Sequence, residues 1–564
     1  MRALRHWRRR LLYLAGGLAL TACALWIALY LLMAHWLAKP PVLTEPPAIA
    51  QLVPQSRGDR VYLGRSWLGR REGLQVLYLT GTPFEIGYAN SALTGQLIKR
   101  QEDALLTLLN HVAPYRWTQF LLKCAVTFKN RHLPENITLE QRVEILGLSR
   151  GAPDPHPELG PIYHRILNYH AAQDISCMMM NSPLIRRGCT AFGAWGNLTR
   201  EGHLLTGRNF DWEPDPVFDH DRLVIICEPQ EGIPFISLAW AGMVGCVSGM
   251  NRDGLSVSVN GAPSHLPDCA ATPTCLVARE VLQYAHTIAE AADIIRRRRV
   301  YVSALFLVGS RRDGRFVVIE KTPDAMAIRE PAGEQSIICA NHFLTPALEN
   351  DPINREFRDT DTSVSRYNRL QELLQHRTQP LDPAQCVAWL RDRSLPGGRF
   401  VGNGHRGSLN PLIATHAVVM DLTDGLFWAA APPHQLGRFV AFDLSHPDRE
   451  LPDRGVTEDP ILKSGEYGRF QEAKARLEEG WQALKQRNYP TAESRAREAA
   501  RENPGFYQNA WLLAESLFHE GRLQDAAESC QAALDGLPAL AHERHKIERL
   551  SGEIAGARKS ITHP

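Results

Sequence analysis

The chain opens on an apolar run with no polar face. "LLYLAGGLALTACALWIALYLLMAHWLA", residues 11–38, holds no Asp, Glu, Lys or Arg. Soluble helices of that length keep a polar stripe. At 1.5 Å per residue the run spans a bilayer core of about 30 Å with room for tilt. The pattern predicts a transmembrane signal-anchor helix over 11–38. A cleaved signal peptide, with an apolar core of about 7–15 residues, is one alternative. A lipoprotein cleavage box at "LTAC", ending at Cys23, is another. The apolar run continues past both. "MRALRHWRRR" ahead of it carries five arginines and no acid. The positive-inside rule keeps residues 1–10 cytoplasmic and the remaining chain periplasmic or otherwise extracytoplasmic.

The pattern then changes three times. "AKPPVLTEPPAIAQLVPQ" predicts a Pro-rich linker, bounded at 39–59. Residues 60–188 mix strand-like runs ("GLQVLYLTG") with helical ones ("SALTGQLIKRQEDALLTLLNHV"). From 189 to about 445, short β-rich runs dominate, among them "HLLTGRNFDW", "DRLVIICEP", "GLSVSVNGA" and "RFVVIEKT", punctuated by "TREG", "RDG" and "TDG". Helical stretches such as "TCLVAREVLQYAHTIAEAADIIRRR" fall between them. Many strands with grouped helices predict an α+β sandwich rather than a regular βαβ series. A linker is expected at 446–464 and a helical tail at 465–555. In that tail "RNYPTAESRAREAARENP" and "GRLQDAAESCQAALDGLP" align at an offset of 34 residues. Ala492 falls on Ala526, Ala499 on Ala533 and Pro504 on Pro538. The period and the small residues resemble tetratricopeptide repeats, stacked antiparallel helix pairs. So short a tail is expected to dock on the body or on a protein partner.

Composition narrows the class. The chain has 564 residues, enough for two or three domains, and a formal net charge of +2. A balance so near zero argues against a nucleic-acid binder. No CxxC pair, HExxH or glycine-rich phosphate loop is present, and neither a cofactor nor a metal is expected. The 11 cysteines leave at least one thiol unpaired. An exported body permits disulfides. "CAATPTC", Cys269 to Cys275, is the local candidate, with two free thiols as the equal alternative. The sequons at Asn136 and Asn197 matter only on a eukaryotic secretory route.

Chemistry concentrates in "RRGCTAFGAWGNLTREGHLLTGRNFDW", residues 186–212. Two strands joined by "TREG" form a hairpin that returns Arg208 and Asp211 toward Cys189. An arginine beside a thiol favours thiolate, and a carboxylate can hold an ammonium group. The parts suit a cysteine nucleophile. A lone strand cysteine is more commonly a packed core thiol, so both readings stand on these residues alone.

"GCT" followed by "GRNFDW" resembles the start of the choloylglycine-hydrolase and acyl-coenzyme A:6-aminopenicillanate acyltransferase group, which are N-terminal-nucleophile hydrolases. Further segments arrive in the same order. "GTPFEIGYANSALTG", residues 81–95, is similar to a Gly-x-Pro-x-Glu-x-Gly segment ahead of the nucleophile. "GMNRDGLSVSVNGAP" is similar to the segment carrying an oxyanion-hole asparagine, here Asn260. "ICANHFLTP" resembles Thr-Asn-His-Phe, here with Asn341, and "TSVSRYNRL" a later arginine motif, here Arg366. "ATHAVVMDLTDGLFWAA" resembles a closing hairpin. The resemblance covers roughly 60–445. It implies a four-layer αββα sandwich, with 60–188 as the part ahead of the nucleophile and 189–445 as the part that begins at it. It implies self-cleavage between Gly188 and Cys189, after which the freed α-amine, of ordinary pKa about 7.7–8.0, serves as the base of its own thiol. Asp211 is expected to hold that amine, Arg208 to favour thiolate, Asn260 and Asn341 to donate to the oxyanion, and Arg366 to support the network. The substrate class implied is a linear N-acyl amide, possible lipidic chains being suggested by the anchor alone. Two features depart from the pattern. Alanine precedes Asn341 where threonine is common, and the Cys189–Arg208 gap is longer than in bile-salt hydrolases. Read singly, the same residues also fit bland roles: Asn341 capping a turn, Asn260–Gly261 forming a hairpin turn, Arg366 as a solvated ion-pair partner. The rival reading of the whole chain is a catalytically inactive envelope scaffold that works through its helical repeats.

Overall fold

Two sheets form the body. The computed structural model describes residues 2–43, 47–178, 187–213, 215–263 and 271–562. Its eleven-stranded sheet begins with the meander Gln55–Arg57, Arg60–Leu63, Ser66–Arg71 and Leu74–Gly81. Next to Leu74–Gly81 lies Leu223–Pro229, in parallel. The sheet continues antiparallel through Phe235–Ala239, Ser248–Asn251, Leu255–Gly261, Ala304–Ser310 and Arg315–Lys321 to Met326–Arg329. The six-stranded sheet has the order Ser336–Cys339, Arg187–Gly196, Gly202–Trp212, Ala414–Asp421, Leu426–Ala430, Phe439–Asp443.

Alternation along the strands builds the layers. Val224, Ile226, Ile236 and Leu238 of the larger sheet share one apolar cluster with Val418, Met420 and Phe427 of the smaller. Residues of the opposite parity, such as Ile225, Val257 and Phe306, pack with Ile145, Leu148, Val277 and Ile295 of helices. On the smaller sheet Phe192, Leu205 and Val419 pack with Leu370, Val387 and Leu390 of other helices. Helices thus cover the outer face of each sheet, and the sheets face one another across the middle. The protein is a mixed α+β body followed by a helical tail.

The glycine-rich segment at 81–95 has a structural explanation. Thr82 caps the helix Pro83–Val112 by accepting from the Glu85 N–H, while Glu85 accepts from the Thr82 N–H, a reciprocal capping box. Gly87 then lets this helix touch the helix Leu139–Gly151. A Cβ on Gly87 would lie 1.9 Å from the Glu144 carbonyl oxygen, and one on Gly147 would lie 2.2 Å from that of Phe84. Both obstacles are backbone, so neither can swing away. Gly87→Ala is expected to lower stability by about 3 kcal/mol, read as a drop in urea midpoint. An unchanged midpoint would show that the two helices separate freely.

Two expected linkers are partly joined to the body. Gln55–Arg57 pairs in the sheet, Ile49 is buried, and the Ala38 N–H donates to His164 Nδ1 at 3.0 Å. Val456 bridges to Phe439, and Ile461 packs with Leu412, Leu436 and Phe470. Apolar residues inside a Pro-rich stretch find cover when the body offers a groove, which local composition does not reveal.

Of the expected membrane span 11–38, residues 11–36 lie in the continuous helix Arg2–Trp36. Among the described residues, no helix is long and apolar enough to cross a membrane. Side chains at 2–5, 8–12, 19, 22 and 25 lie outside the described residues. Cys269 also lies outside them; Cys275 is buried, with Sγ 3.5 Å from the His170 carbonyl oxygen.

The tail consists, among the described residues, of helices Glu466–Lys485, Tyr489–Glu502, Tyr507–His519, Leu523–Asp535 and Ala541–Thr562, each packed on its sequence neighbour. Ala492, Ala499, Ala526 and Ala533 are all fully buried. The alanines that recur at the 34-residue offset are therefore those on which the helices close.

Candidate active site

The hairpin Arg187–Gly196/Gly202–Trp212 lies in the interior of the smaller sheet. Its register sets Gly188 opposite Asp211, Cys189 opposite Phe210 and Ala191 opposite Arg208. Because side chains alternate, Cys189, Arg208 and Phe210 point between the sheets, whereas Asp211 and Thr190 point to the outer, helical side. A Cβ on Gly188 would lie 3.2 Å from Asp211 Oδ2 and 3.3 Å from the Arg366 guanidinium. Glycine leaves that approach open.

Arg208 is fully buried and has five partners. Its Nη2 lies 3.7 Å from Cys189 Sγ and also donates to the Val259 carbonyl. Nη1 donates to Ser248 Oγ at 2.6 Å and to His416 Nε2 at 2.8 Å, and Nε to Asn260 Oδ1 at 3.3 Å. Burial pushes its pKa below the ordinary value, which the neighbouring thiols and Asp211 oppose. The ring of Phe210 lies beneath it at 4.7 Å.

The Cys189 nitrogen, which self-cleavage would turn into an amine, donates to Asn341 Oδ1 at 2.8 Å. Arg366 Nη2 donates to the same oxygen at 2.8 Å, and Nη1 to the Cys189 carbonyl and to Thr190 Oγ1. Asn341 Nδ2 donates to the Gly261 carbonyl at 2.8 Å. Asn260 Nδ2 donates to the carbonyls of Cys339 and Ala340 at 3.0 and 2.9 Å. Both asparagine amides are thus occupied by backbone, and Asn341 presents its oxygen to the Cys189 nitrogen.

Asp211 is buried, and its Oδ1 has no hydrogen-bond partner among the described residues. Burial raises its pKa from 3.8 to about 7, against the opposing charges of Arg366 and Arg406. A carboxyl so placed readily exchanges a proton near neutrality.

All six residues expected from the sequence, Cys189, Arg208, Asp211, Asn260, Asn341 and Arg366, meet here, with Gly188 at the same point. The sequence reading left out His416, which lies between Arg208 and Ser248. Burial, with the charges of Arg208 and Arg222, holds His416 well below the ordinary histidine pKa, so its neutral Nε2 accepts from Arg208. The alternation of "THAVVMD" was the available signal, since it puts His416 on the same face as Val418 and Met420. His405, also left out, turns toward the tail and contacts the Leu537 carbonyl at 2.7 Å.

Around the thiol lie aromatic rings. Phe210 and Trp240 are 5.8 Å apart, Trp212 and Phe218 4.7 Å, and Trp240 and His416 5.8 Å. The site therefore combines a buried thiol, four guanidinium or amide side chains and an apolar wall.

Residues 198–398 match the family model of acyl-coenzyme A:6-aminopenicillanic acid acyl-transferase. The matched stretch holds Arg208, Asp211, Asn260, Asn341 and Arg366 and begins after Cys189. The chain is 25% identical over 335 residues to an uncharacterized protein of Archaeoglobus fulgidus, covering 54% of this chain and 55% of that one. It is 26% identical over 283 residues to protein dcd1B of Dictyostelium discoideum, covering 45% and 52%. The chain thus spans about half the length of the curated relatives it matches. Among solved structures, it is similar to the Caenorhabditis elegans N-acylethanolamine-hydrolyzing acid amidase ortholog, at 18% identity and a TM-score of 0.31, covering 42% of this chain and 93% of that one. It is also similar to a mutant conjugated bile acid hydrolase of Clostridium perfringens, at 13% identity and a TM-score of 0.33, covering 46% and 92%. The matched family and these structures are acyltransferases and amide hydrolases.

Proposed function

We propose that the protein is a self-processing cysteine N-terminal-nucleophile enzyme that cleaves a linear amide, or transfers its acyl group, through a thioester on Cys189. The observation that carries this reading is the hold on the Gly188–Cys189 bond. Asn341 accepts from its nitrogen, Arg208 lies at the thiol, and an unpartnered oxygen of buried Asp211 lies alongside.

In the first step the Cys189 thiol attacks the Gly188 carbonyl carbon and its proton passes to the departing Cys189 nitrogen. The peptide C–N bond breaks, leaving Gly188 as a thioester on Sγ, and water hydrolyses that thioester. The freed amine then lies between Asn341 Oδ1 and Asp211. In turnover it takes the thiol proton, Sγ attacks the substrate carbonyl, and the proton is returned to the leaving amine. Water or an acceptor amine discharges the acyl-thioester. The tetrahedral intermediates on either side of the thioester need oxyanion donors. The amides of Asn260 and Asn341 are the donors at hand once they turn from the Cys339, Ala340 and Gly261 carbonyls, all of which stay on the Cys189 side of the cut. Arg208 stabilises negative charge on sulfur, and the Phe210–Trp240 wall suits an apolar acyl chain.

The reading extends to address and tail. The charge-free run 11–38 behind five arginines supports a membrane tether with the body extracytoplasmic. Exposed Leu18, Leu20, Trp26, Ile27, Tyr30 and Leu31 on the described part of the helix suit lipid contact. The buried alanines at a 34-residue offset support a tetratricopeptide-like tail.

Intact mass under denaturing conditions tests the central claim. Two fragments meeting between Gly188 and Cys189 are the expected result. A single chain from fresh and from aged preparations would remove it.

A further inference from the structure

We infer that the C-terminal helices complete the active site: Arg406 of the body and Lys474 of the tail, joined through Glu213, are positioning residues that set the charge around Asp211. The inference rests on the function proposed above and adds a role for the tail within catalysis.

Glu213 directly follows the strand Gly202–Trp212 that carries Asp211, and its charge acts on that carboxyl. Glu213 Oε2 accepts from Arg406 Nη2 at 2.7 Å, and Oε1 from Lys474 Nζ at 2.7 Å. Lys474 belongs to the first tail helix, Glu466–Lys485. One carboxylate near the candidate catalytic carboxylate is thus shared between body and tail.

The loop bearing Arg406 is fixed by the tail. Asn403 N–H donates to Asn503 Oδ1 at 2.8 Å, and Asn503 Nδ2 returns a bond to the Asn403 carbonyl at 2.9 Å. This reciprocal pair is buried. Glu466 accepts from Asn403 Nδ2 and from Arg393. His405 Nε2 meets the Leu537 carbonyl, and Arg399 donates to that of Asp535. Gly402, at φ 90°, lies against Phe506, where a Cβ would come within 2.8 Å of the Phe506 nitrogen. Four tail helices or their connections therefore hold residues 399–406. A tail that served only to recruit a partner would have no need to grip a loop whose Arg406 acts on Asp211.

The charges around Asp211 are Arg366 from the outer helix, Arg406 from this loop, Arg208 from its own strand and Glu213 just beyond the strand's end. Glu213 in turn faces Arg406, Lys474 and His434. Burial raises the Glu213 pKa, but the two cations outweigh it and keep the group ionised. Without Lys474, Glu213 is less neutralised and opposes ionisation of Asp211. Without Arg406, a cation favouring that ionisation is lost. Both changes act in one direction.

The test follows self-cleavage, which needs no substrate. Full-length chains are pulse-labelled in cell-free translation, moved to buffers between about pH 5.5 and 8.5, and scored over time for the Gly188–Cys189 cut. On this inference ionised Asp211 relays the thiol proton to the departing Cys189 nitrogen, so wild type is expected to cut faster as pH rises, with a midpoint near the Asp211 value of about 7. The midpoint is expected to rise by about 1 unit in Arg406→Gln and by about half a unit in Lys474→Ala, and to return in Lys474→Arg. A tail that merely stabilises the fold would lower the cut fraction and leave the midpoint in place, and that result overturns the inference alone. A wild-type chain that stays whole at every pH overturns the proposed function and the inference with it.

Discussion

Cys189→Ala is expected to purify as one uncut chain under conditions in which the wild type yields two fragments. The substitution removes only Sγ. It costs on the order of 1 kcal/mol of apolar burial, and Arg208 keeps Ser248, His416, Asn260 and the Val259 carbonyl as partners. The fold should therefore survive, and melting within a few degrees of wild type is the control. The loss of cleavage should be complete on the timescale of purification, because no other group acts as nucleophile. Spontaneous amide hydrolysis lacks the many orders of magnitude that a positioned nucleophile supplies. Cleavage at the same bond in Cys189→Ala would assign the attack to another residue. Asp211 would then be the first candidate.

Asp211→Asn is expected to stabilise the uncut chain above neutrality, by up to about 4 kcal/mol, and to do so progressively less at lower pH. The carboxyl of Asp211 has an ordinary pKa of 3.8 and is raised by burial to about 7 in the folded chain. Between these values the folded state holds a proton that the unfolded chain has released, so stability falls as pH rises. Below 3.8 the penalty is absent, and above about 7 it is fully present. About 3 units at 1.36 kcal/mol each set the scale. Background cleavage is removed by measuring urea midpoints of Cys189→Ala with and without Asp211→Asn, from about pH 5 to 8.5. A gap that widens with pH bears out the assignment, and a constant gap would mean that Asp211 is already ionised or paired. In the proposed mature form, the new α-ammonium on Cys189 gives Asp211 a partner of opposite charge. Processing would thereby remove the penalty that the precursor carries.

Several features of the body were legible because they are local. The hairpin from 187 to 212 follows from alternation and a "TREG" turn, and its register returns Asp211 to Gly188 without reference to the remaining chain. The helical tail was legible from small residues at a 34-residue offset, since buried Ala499 and Ala533 occur where helices close. The capping box at Thr82 and Glu85 was written in consecutive letters, although its motif had been read only by resemblance. His416 was passed over because a histidine within an apolar strand carries no sign of what lies opposite it. The partner, Arg208, is 208 residues away. The linker at 39–59 was read from proline content, and burial of Ile49 there and of Ile461 in the linker at 446–464 depended on grooves formed elsewhere.

By itself the sequence determined which atoms are available: a thiol after a glycine, two guanidinium groups, a carboxylate and two amides, of which strand periodicity brings the thiol, the Arg208 guanidinium and the carboxylate to one end of a hairpin. Only the tertiary structure decided how those atoms are used. It buried Asp211 with an oxygen unpartnered, turned the Asn341 oxygen to the Cys189 nitrogen, occupied both amides with backbone carbonyls, and drew Lys474 of the tail to Glu213. The physical reason is one of range. Strand alternation and helix capping act over a few residues, whereas desolvation and hydrogen-bond partnership are set by segments hundreds of residues apart that meet only when the sheets and the tail pack.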